Sequence, residues 1–577
     1  MKASSPTIDQ PARQPWWNPQ QPSGMPVHRY RRAAPRELVE PGTRMWLDHP
    51  LDHAPLWSSV DLRDGNQALA NPMDLRRKRA MFDLLVRLGF KDIEVGYPSA
   101  SEAEFEFVRH LVTGDHIPDD VTITVFTPAR PQLIDRTFEA VRGADRAVVH
   151  LCHATACLWR DIVLRMTPSE VVALARGSAE HMVRLADRAG EAIRFEYSPE
   201  TFNVTEPEFA LEIANTVAEI VDATPERPLT LNLPSTVETH APNVFADQVE
   251  WMHRNLDRRD SIILSVHPHN DRGTAVASAE FALAAGADRV EGTLFGNGER
   301  TGNVCLVTLA LNLFSRGIDP QLDLSDLPAV RRTVEECNEM AVPDRHPYAG
   351  DLVFTAFSGT HQDAIAKGLT HLEDQATAAR VPIAELPWDV PYLPIDPQDV
   401  GRSYEAIIRV NSQSGKGGIA HVLRTRWGLD LPVELRVEFA GVIQRVTDVT
   451  GVEVEPGRIW DTFRAEYCDT GGWAGFAEAE LDGDDPVGAL LATLRKEGVH
   501  AELDQLVRDG AGPESGAEHI CYARAFVEHS PVWGVGLGAT PQAASIQAML
   551  AALHRSGAQA DGTGPVPHLT GPREGAR

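Results

Sequence analysis

The chain has 577 residues, too many for one hydrophobic core, because single cores stop growing at roughly 250–300 residues; two or three domains are expected. Hydrophobic residues make up 43% and charged residues 24%, which excludes wholesale disorder and fibrous repeats. The 82 acidic residues outnumber 54 Lys and Arg, leaving a net charge of -28 that repels nucleic acid and anionic membrane surfaces.

The same field opposes any polyanionic co-substrate, which would need its own basic side chains or helix N-termini. Cys152, Cys157, Cys305, Cys337, Cys468 and Cys521 show no CxxC spacing, so neither a zinc ribbon nor a disulfide framework is legible. They are expected to be reduced thiols of a cytoplasmic protein. No apolar export segment follows Met1-Lys2, and no stretch approaches the ~20 apolar residues needed to span a bilayer.

Residues 1–50, rich in Pro, Gln and Arg around Trp16 and Trp17, are predicted to form a partly disordered arm. Over 51–330, short apolar runs alternate with helical patterns. Strands are expected to end near Leu62, Val95, Phe126, His150, Tyr197, Leu233, Val266 and Thr293. Between them lie amphipathic stretches such as Met81, Leu84, Leu85 and Leu88, and the Ala-rich run from Ala275 to Ala287. Eight β-then-α units in roughly 250 residues predict an α/β fold of the (β/α)8 TIM-barrel type. A doubly wound open sheet is the rival, and the polar residues at the strand ends argue against it.

Residues 331–465 change to helices broken by Pro and Gly, with a polar loop from Asn411 to Gly418, and are assigned to linker subdomains. Residues 466–560 hold two helices (486–497 and 541–555) and two strands (Cys521 to Val527, Trp533 to Leu537), enough for a small α+β regulatory domain. Residues 561–577, rich in Gly and Pro, are expected to be a disordered tail.

In a barrel of this kind the polar strand ends converge on one mouth. The seventh strand runs into His267-Pro268-His269-Asn270-Asp271, and a period of two sends both imidazoles to the same side. Asp64, after the first strand, can add a carboxylate from across the mouth. Two His and one carboxylate with open positions suit a divalent ion such as Mg²⁺, Mn²⁺, Zn²⁺ or Co²⁺. The last strand leads into Gly296-Asn297-Gly298-Glu299-Arg300-Thr301-Gly302-Asn303, whose backbone can approach a ligand closely. Other strand ends offer His150, Glu196, Ser198, Glu200, Asn232 and Thr236. A buried carboxylate among them can serve as a general base, while Glu196 can instead orient its neighbours.

Four segments carry a family resemblance: Leu62-Arg63-Asp64-Gly65-Asn66-Gln67, Asn232 to Glu238, His267 to Asp271, and Gly296 to Val304. Together with Ser358 to Asp363, Pro391 to Pro397 and Gly415 to Gly418, they resemble the 2-isopropylmalate synthases, in particular their actinobacterial branch. The resemblance spans about 57–450. It implies a TIM barrel, two linker subdomains and a leucine-binding C-terminal domain, assembled as a homodimer. It implies an acyltransferase that condenses acetyl-CoA with 2-oxoisovalerate, the first committed step of leucine biosynthesis. Asp64, His267, His269 and Asn303 match the metal ligands, with Mg²⁺ the first choice and a monovalent cation such as K⁺ as a further cofactor. Arg63 matches the residue that polarises the 2-oxo group, and Glu200 the acid/base candidate. His361 and Tyr392 match residues that the partner subunit places over the active site. His150, Ser198, Thr236 and Gln67 match substrate contacts. The base is left open between Glu200 and a water activated by His361.

Two departures stand out. After His150 the family leads one to expect bulky aromatic and amide residues, whereas this chain has Leu151-Cys152-His153, which widens the expected choice of 2-oxo acid. The turn expected to open the regulatory helix carries Glu478, Glu480, Asp482, Asp484 and Asp485, and these carboxylates oppose capture of an amino-acid carboxylate there. The alternatives are an alkylmalate or homocitrate-type synthase, a metal-dependent barrel lyase or aldolase, and a catalytically dead binding protein, which the presence of Arg63, Asp64 and both histidines disfavours.

Overall fold

Eight parallel strands close on themselves in sequence order: β1 (Leu56–Ser59), β2 (Asp92–Gly96), β3 (Thr122–Pro128), β4 (Ala147–Ala154), β5 (Ile193–Glu200), β6 (Leu229–Ser235), β7 (Ile262–Pro268) and β8 (Arg289–Gly292). β1 pairs with both β2 and β8, which completes the barrel and rules out the open-sheet alternative. The computed structural model describes residues 44–558 except 190–192, 405–415, 451–453, 479–484, 497, 511–512 and 528–529. Most of the predicted arm, Asn411 to Gly415, the carboxylates Glu480, Asp482 and Asp484, and the predicted tail lie outside these residues.

The strands are covered on both sides, so β4 and β6 are buried along their whole length. The first outer helix, Leu75–Leu88, turns Met81, Phe82, Leu84, Leu85 and Leu88 inward; Asp74 caps its start and Gly89, at φ 103°, ends it. Pro131, Pro207 and Pro242 open three further helices, where a missing amide proton costs nothing.

Inside the barrel the side chains are polar: Ser58, Glu94, His150, Glu196, Asn232, Ser265, Arg289 and Glu291 are all buried. His150 and Glu196 therefore sit within their strands, not at the ends expected from the sequence. β1 also stops earlier than predicted. Its successor Asp61 accepts hydrogen bonds from the Leu294 amide and the Ser59 hydroxyl, which pulls the chain into a wide helical turn, Asp61–Gly65.

Before β1, Arg44 makes two 2.7 Å bonds to the Asp247 carboxylate, which also accepts from the Trp46 indole at 3.1 Å. Trp46 stacks on Phe281 at 5.2 Å between ring centroids. After the barrel, the helices Leu327–Asn338, Gly359–Ala379, Lys416–Trp427, Val433–Thr450 and Pro456–Tyr467 follow. Trp427 stacks on Trp460 at 5.1 Å, with Phe439, Phe463 and Tyr467 packed beside them.

The last part is a three-stranded antiparallel sheet, β9 (Ala501–Gly510), β10 (His519–Val527) and β11 (Ser530–Gly538), ordered β11-β10-β9. Cys521, Ala523, Ala525 and Val527 pack against Ala544, Ala548, Met549 and Leu553 of the helix Pro541–Ser556. The strand β9 was not predicted, because it is half exposed and carries Glu502, Asp504, Gln505, Arg508 and Asp509. Asp485 caps the helix Pro486–Lys496 through the Gly488 amide at 2.9 Å. No helix among the described residues is long and apolar enough to cross a membrane.

Candidate active site

The turn after β1 and the end of β7 bring Asp64, His267 and His269 together, all buried, with one ligand atom from each within 4.8 Å of the others. Asp64 Oδ2 lies 3.8 Å from His267 Nε2 and 3.9 Å from His269 Nε2. The two imidazoles stack at 5.1 Å, as their two-residue spacing predicted. Asn303 sits between the groups, donating to Asp64 Oδ2 at 2.7 Å while its Oδ1 faces His267 Nε2 at 2.7 Å.

The glycine-rich loop delivers Asn303 because it folds too tightly for side chains. A Cβ on Gly302, which has φ 93°, would lie 1.8 Å from the Gly296 carbonyl oxygen. The Asn303 amide then bonds to Gly296 O at 3.1 Å.

Electrostatics suit a cation. Burial opposes ionisation of Asp64, but Arg63 and then His267 hold its carboxyl well below the usual range. Burial, reinforced by His267, lowers His269 to about 4, so its ring is neutral and able to ligate. His269 Nδ1 is buried without a hydrogen-bond partner in the described structure. Burial opposes protonation of His267, yet the carboxylates of Asp64 and Glu291 raise it to about 10, so the ring donates from Nδ1 to Glu291 and from Nε2 to Asn303 Oδ1, and ligation through Nε2 requires that second proton to leave. Two imidazoles, a carboxylate ionised at any ordinary pH and a neighbouring amide oxygen fit a divalent metal ion.

Beside this cluster lies a cavity of about 240 Å³. Arg63, Asp64, Gln67, His150, Ser198, Glu200, Thr236, His267 and His269 all line it, as do Asn232 and Cys152. The Arg63 guanidinium spans Glu94 Oε2 at 2.5 Å and Asp64 Oδ1 at 2.8 Å, and stacks over Phe126 at 4.8 Å. Burial raises the Glu200 carboxyl above its ordinary value, opposed by Arg63 and aided by Asp64.

Two family matches and three relatives bear on this geometry. The HMGL-like family matches residues 54–334, and the family described as alpha-isopropylmalate synthase, post-catalytic domain-like, matches residues 351–424. The 2-isopropylmalate synthase of Clavibacter michiganensis is 49% identical over 93% of this chain and 97% of its own length. That of Mycobacterium leprae is 48% identical over 96% and 97%, and that of Corynebacterium glutamicum 49% over 94% of each chain.

The chain belongs to the 2-isopropylmalate synthase family.

Within this 2-isopropylmalate synthase family chain, the predicted His361 and Tyr392 are not brought to the cavity. They stack on each other at 4.2 Å, with Tyr392 at φ 75° and 55% exposed. The departure at Leu151-Cys152-His153 resolves by strand alternation. Cys152 faces the cavity on the same side as His150, whereas His153 points away and bonds Tyr197 OH at 3.0 Å, its pKa lowered by burial to about 4.

Sequence reasoning missed Tyr97 and Phe126 in the cavity wall and the buried Glu94, Arg289 and Glu291 beneath it. A signal existed for Glu94, a carboxylate between Ile93 and Val95 on β2, but not for Glu291, whose strand is Arg289-Val290-Glu291-Gly292. These residues close a ring. Arg63 bonds Glu94; Glu94 Oε1 faces His150 Nδ1 at 2.7 Å; His150 Nε2 faces Ser198 Oγ at 2.7 Å. Asn232 Nδ2 donates to Ser198 at 3.0 Å and to Glu291 at 2.9 Å, and Glu291 Oε2 faces His267 Nδ1 at 2.9 Å. Asn303 and Asp64 return the path to Arg63.

Proposed function

We infer that this chain transfers the acetyl group of acetyl-CoA to 2-oxoisovalerate by a Claisen-type condensation and hydrolyses the thioester, releasing 2-isopropylmalate and CoA for leucine biosynthesis. The observation that carries this reading is the joining of Asp64, His267 and His269 with Arg63 at the wall of one cavity. A divalent cation held by Asp64, His267 and His269, with Asn303 adjacent, supplies Lewis acidity toward a 2-oxo acid; Mg²⁺ is the first candidate, with Mn²⁺, Zn²⁺ and Co²⁺ behind it.

The chain's own groups do the rest. Arg63 places a fixed positive charge where the 2-oxo oxygen becomes an alkoxide. Glu200, at the end of β5, takes the proton from the acetyl methyl, a role that suits a carboxylate made more basic by burial. The carbanion then attacks the carbonyl carbon, and water cleaves the thioester. His150, Ser198, Thr236 and Gln67 hold the oxo acid's polar atoms, and Tyr97, Phe126 and Cys152 bound its side chain.

The stacked His361 and Tyr392 are assigned to the active site of a partner subunit in a homodimer. The C-terminal domain is assigned to leucine binding, weakened by the acidic segment before Asp485, and K⁺ to a secondary activating role. The protein is placed in the cytoplasm.

The single test is release of CoA thiol from acetyl-CoA with a panel of 2-oxo acids, with and without chelator. The highest kcat/KM is expected for 2-oxoisovalerate, and chelator should abolish turnover. A second reading, an alkylmalate or homocitrate-type synthase, is favoured by Cys152 at the cavity wall; it wins if a longer or dicarboxylic 2-oxo acid is preferred. Cleavage of a hydroxyacyl substrate without CoA release would instead indicate a lyase.

A further inference from the structure

Glu291 lies in the short strand β8, fully inside the barrel, at the junction of two sets of bonds. Its Oε2 faces His267 Nδ1 at 2.9 Å and accepts from Asn232 Nδ2 at 2.9 Å, while its Oε1 accepts from Arg289 Nη1 at 2.7 Å. Arg289 is equally buried, and its guanidinium also reaches Asp92, Glu196, Ser58 and Ser265.

We infer that Glu291 is a positioning residue of the metal centre: it fixes His267 with the proton on Nδ1, so that Nε2 faces Asp64 as a ligand, and Arg289 anchors Glu291 for that task. The inference rests on the reading of Asp64, His267 and His269 as metal ligands.

An ionised carboxylate only accepts, so the imidazole nitrogen 2.9 Å from it must carry hydrogen. A ligating histidine needs its other nitrogen held this way, since the hydrogen bond at one nitrogen sets which nitrogen is left for the metal and fixes the ring's orientation. Arg289 supplies the second half. Its guanidinium is clamped by the Asp92 carboxylate from β2 and by Glu196 from β5, so Oε1 of Glu291 is tied to the barrel frame and Oε2 is turned toward β7.

Glutamine in place of Glu291 has no good orientation. With its carbonyl toward Arg289, its amide donates to His267 Nδ1 and forces hydrogen onto Nε2, the wrong nitrogen for a ligand. With its carbonyl toward His267, its amide opposes the Arg289 donors. This is the logic by which an amide replacing a carboxylate beside a catalytic histidine selects the wrong tautomer. Glu196 offers a control: it touches the same Arg289 and shares a hydrogen bond with Glu291, but makes no bond to His267. Burial raises its carboxyl well above the usual range, which favours the acid form, and glutamine keeps a donor toward Glu291 as that form does.

The experiment is a titration of the apo protein with Mn²⁺ alone, following free Mn²⁺ by electron paramagnetic resonance. Circular dichroism and thermal melting report the fold of each variant. Glu291→Gln is expected to weaken Mn²⁺ binding roughly 10–100-fold. Glu291→Asp keeps the charge beside Arg289 and therefore the fold, yet withdraws the oxygen from Nδ1, and should also weaken binding. Glu196→Gln should bind Mn²⁺ like the unaltered chain. If a folded Glu291 variant binds as tightly as the unaltered chain, or Glu196→Gln loses affinity equally, the positioning role is overturned while the metal site stands. If the unaltered chain binds no Mn²⁺, both fall.

Discussion

Asp64 Oδ2 stands 3.9 Å from His269 Nε2, although the aspartate follows the first barrel strand and the histidine the seventh. Neither residue contacts the other through the sheet, because β8 lies between their strands, so only the curvature of the closed barrel brings them together. A cation between them should therefore stabilise the fold it depends on. At a metal concentration of 100 Kd the linkage is about 2.7 kcal/mol, a melting shift of several degrees. Asp64→Ala should fold, since Arg63 keeps Glu94 as partner, but show no shift and no turnover. A variant that still responds to Mg²⁺ or Mn²⁺ like the parent would remove Asp64 from the ligand set.

Glu200 must be ionised to accept a proton. Burial raises its carboxyl above the ordinary 4.5, so at saturating metal kcat should climb with pH through a midpoint above that value and then level. Glu200→Gln should lower kcat by ~10²–10⁴ and erase this limb, measured as CoA release from pH 5 to 9. Persistence of the limb in the variant assigns it to another group.

Arg63 is held by Glu94, Asp64 and the face of Phe126. Lysine cannot span two carboxylates in the same plane, so Arg63→Lys should reduce kcat by ~10²–10³ with little change in metal affinity. Steady-state kinetics with Mn²⁺ titration separates the two. A defect confined to KM would argue for ground-state binding alone.

Cys152 is set back in the cavity wall next to β3, whose Phe126 faces the same space. Its thiol is pushed well up by burial, and Glu200 adds to this, so it acts as a small apolar group and not a nucleophile. Cys152→Phe should cut kcat/KM for longer 2-oxo acids relative to 2-oxoisovalerate by ~10–200-fold. An unchanged ratio places the substrate side chain elsewhere.

Inhibition by leucine should be weaker than in relatives without the acidic segment that precedes the helix Pro486–Lys496, because Asp485 already occupies the Gly488 amide at its start. The measurement is an inhibition curve in millimolar leucine beside a family member whose sequence lacks these carboxylates. Coinciding curves would refute the idea.

The barrel was legible because its signals are local: strand-length apolar runs alternate with helical spacing, and polar residues stand where each strand ends. The His267 and His269 pair was legible for the same reason, a period of two on one strand. What could not be read is the polar interior. From the sequence Glu196 reads only as a group that can orient its neighbours, and Arg289 and Glu291 do not stand out, because their partners come from β1, β2, β6 and β7, which only closure brings within reach. β9 escaped because an exposed edge strand has no apolar run to announce it. The roles of His361 and Tyr392 were read from resemblance, but their stacking was not, because it is a matter of tertiary packing between a helix start and a distant turn.

The Arg44–Asp247–Trp46 cluster sets where the chain can be shortened. Asp247 is buried while Arg44 is partly exposed, so deleting residues through Trp46 removes the cationic and indole partners of a buried carboxylate and should destabilise this flank. It also uncovers the ring of Phe281. Expression designs that begin at Arg44 retain both contacts; designs that begin at the first barrel strand trade them for a sticky, weakened flank on the side of the barrel formed by the helices Pro242–Asn255 and Ala275–Ala284.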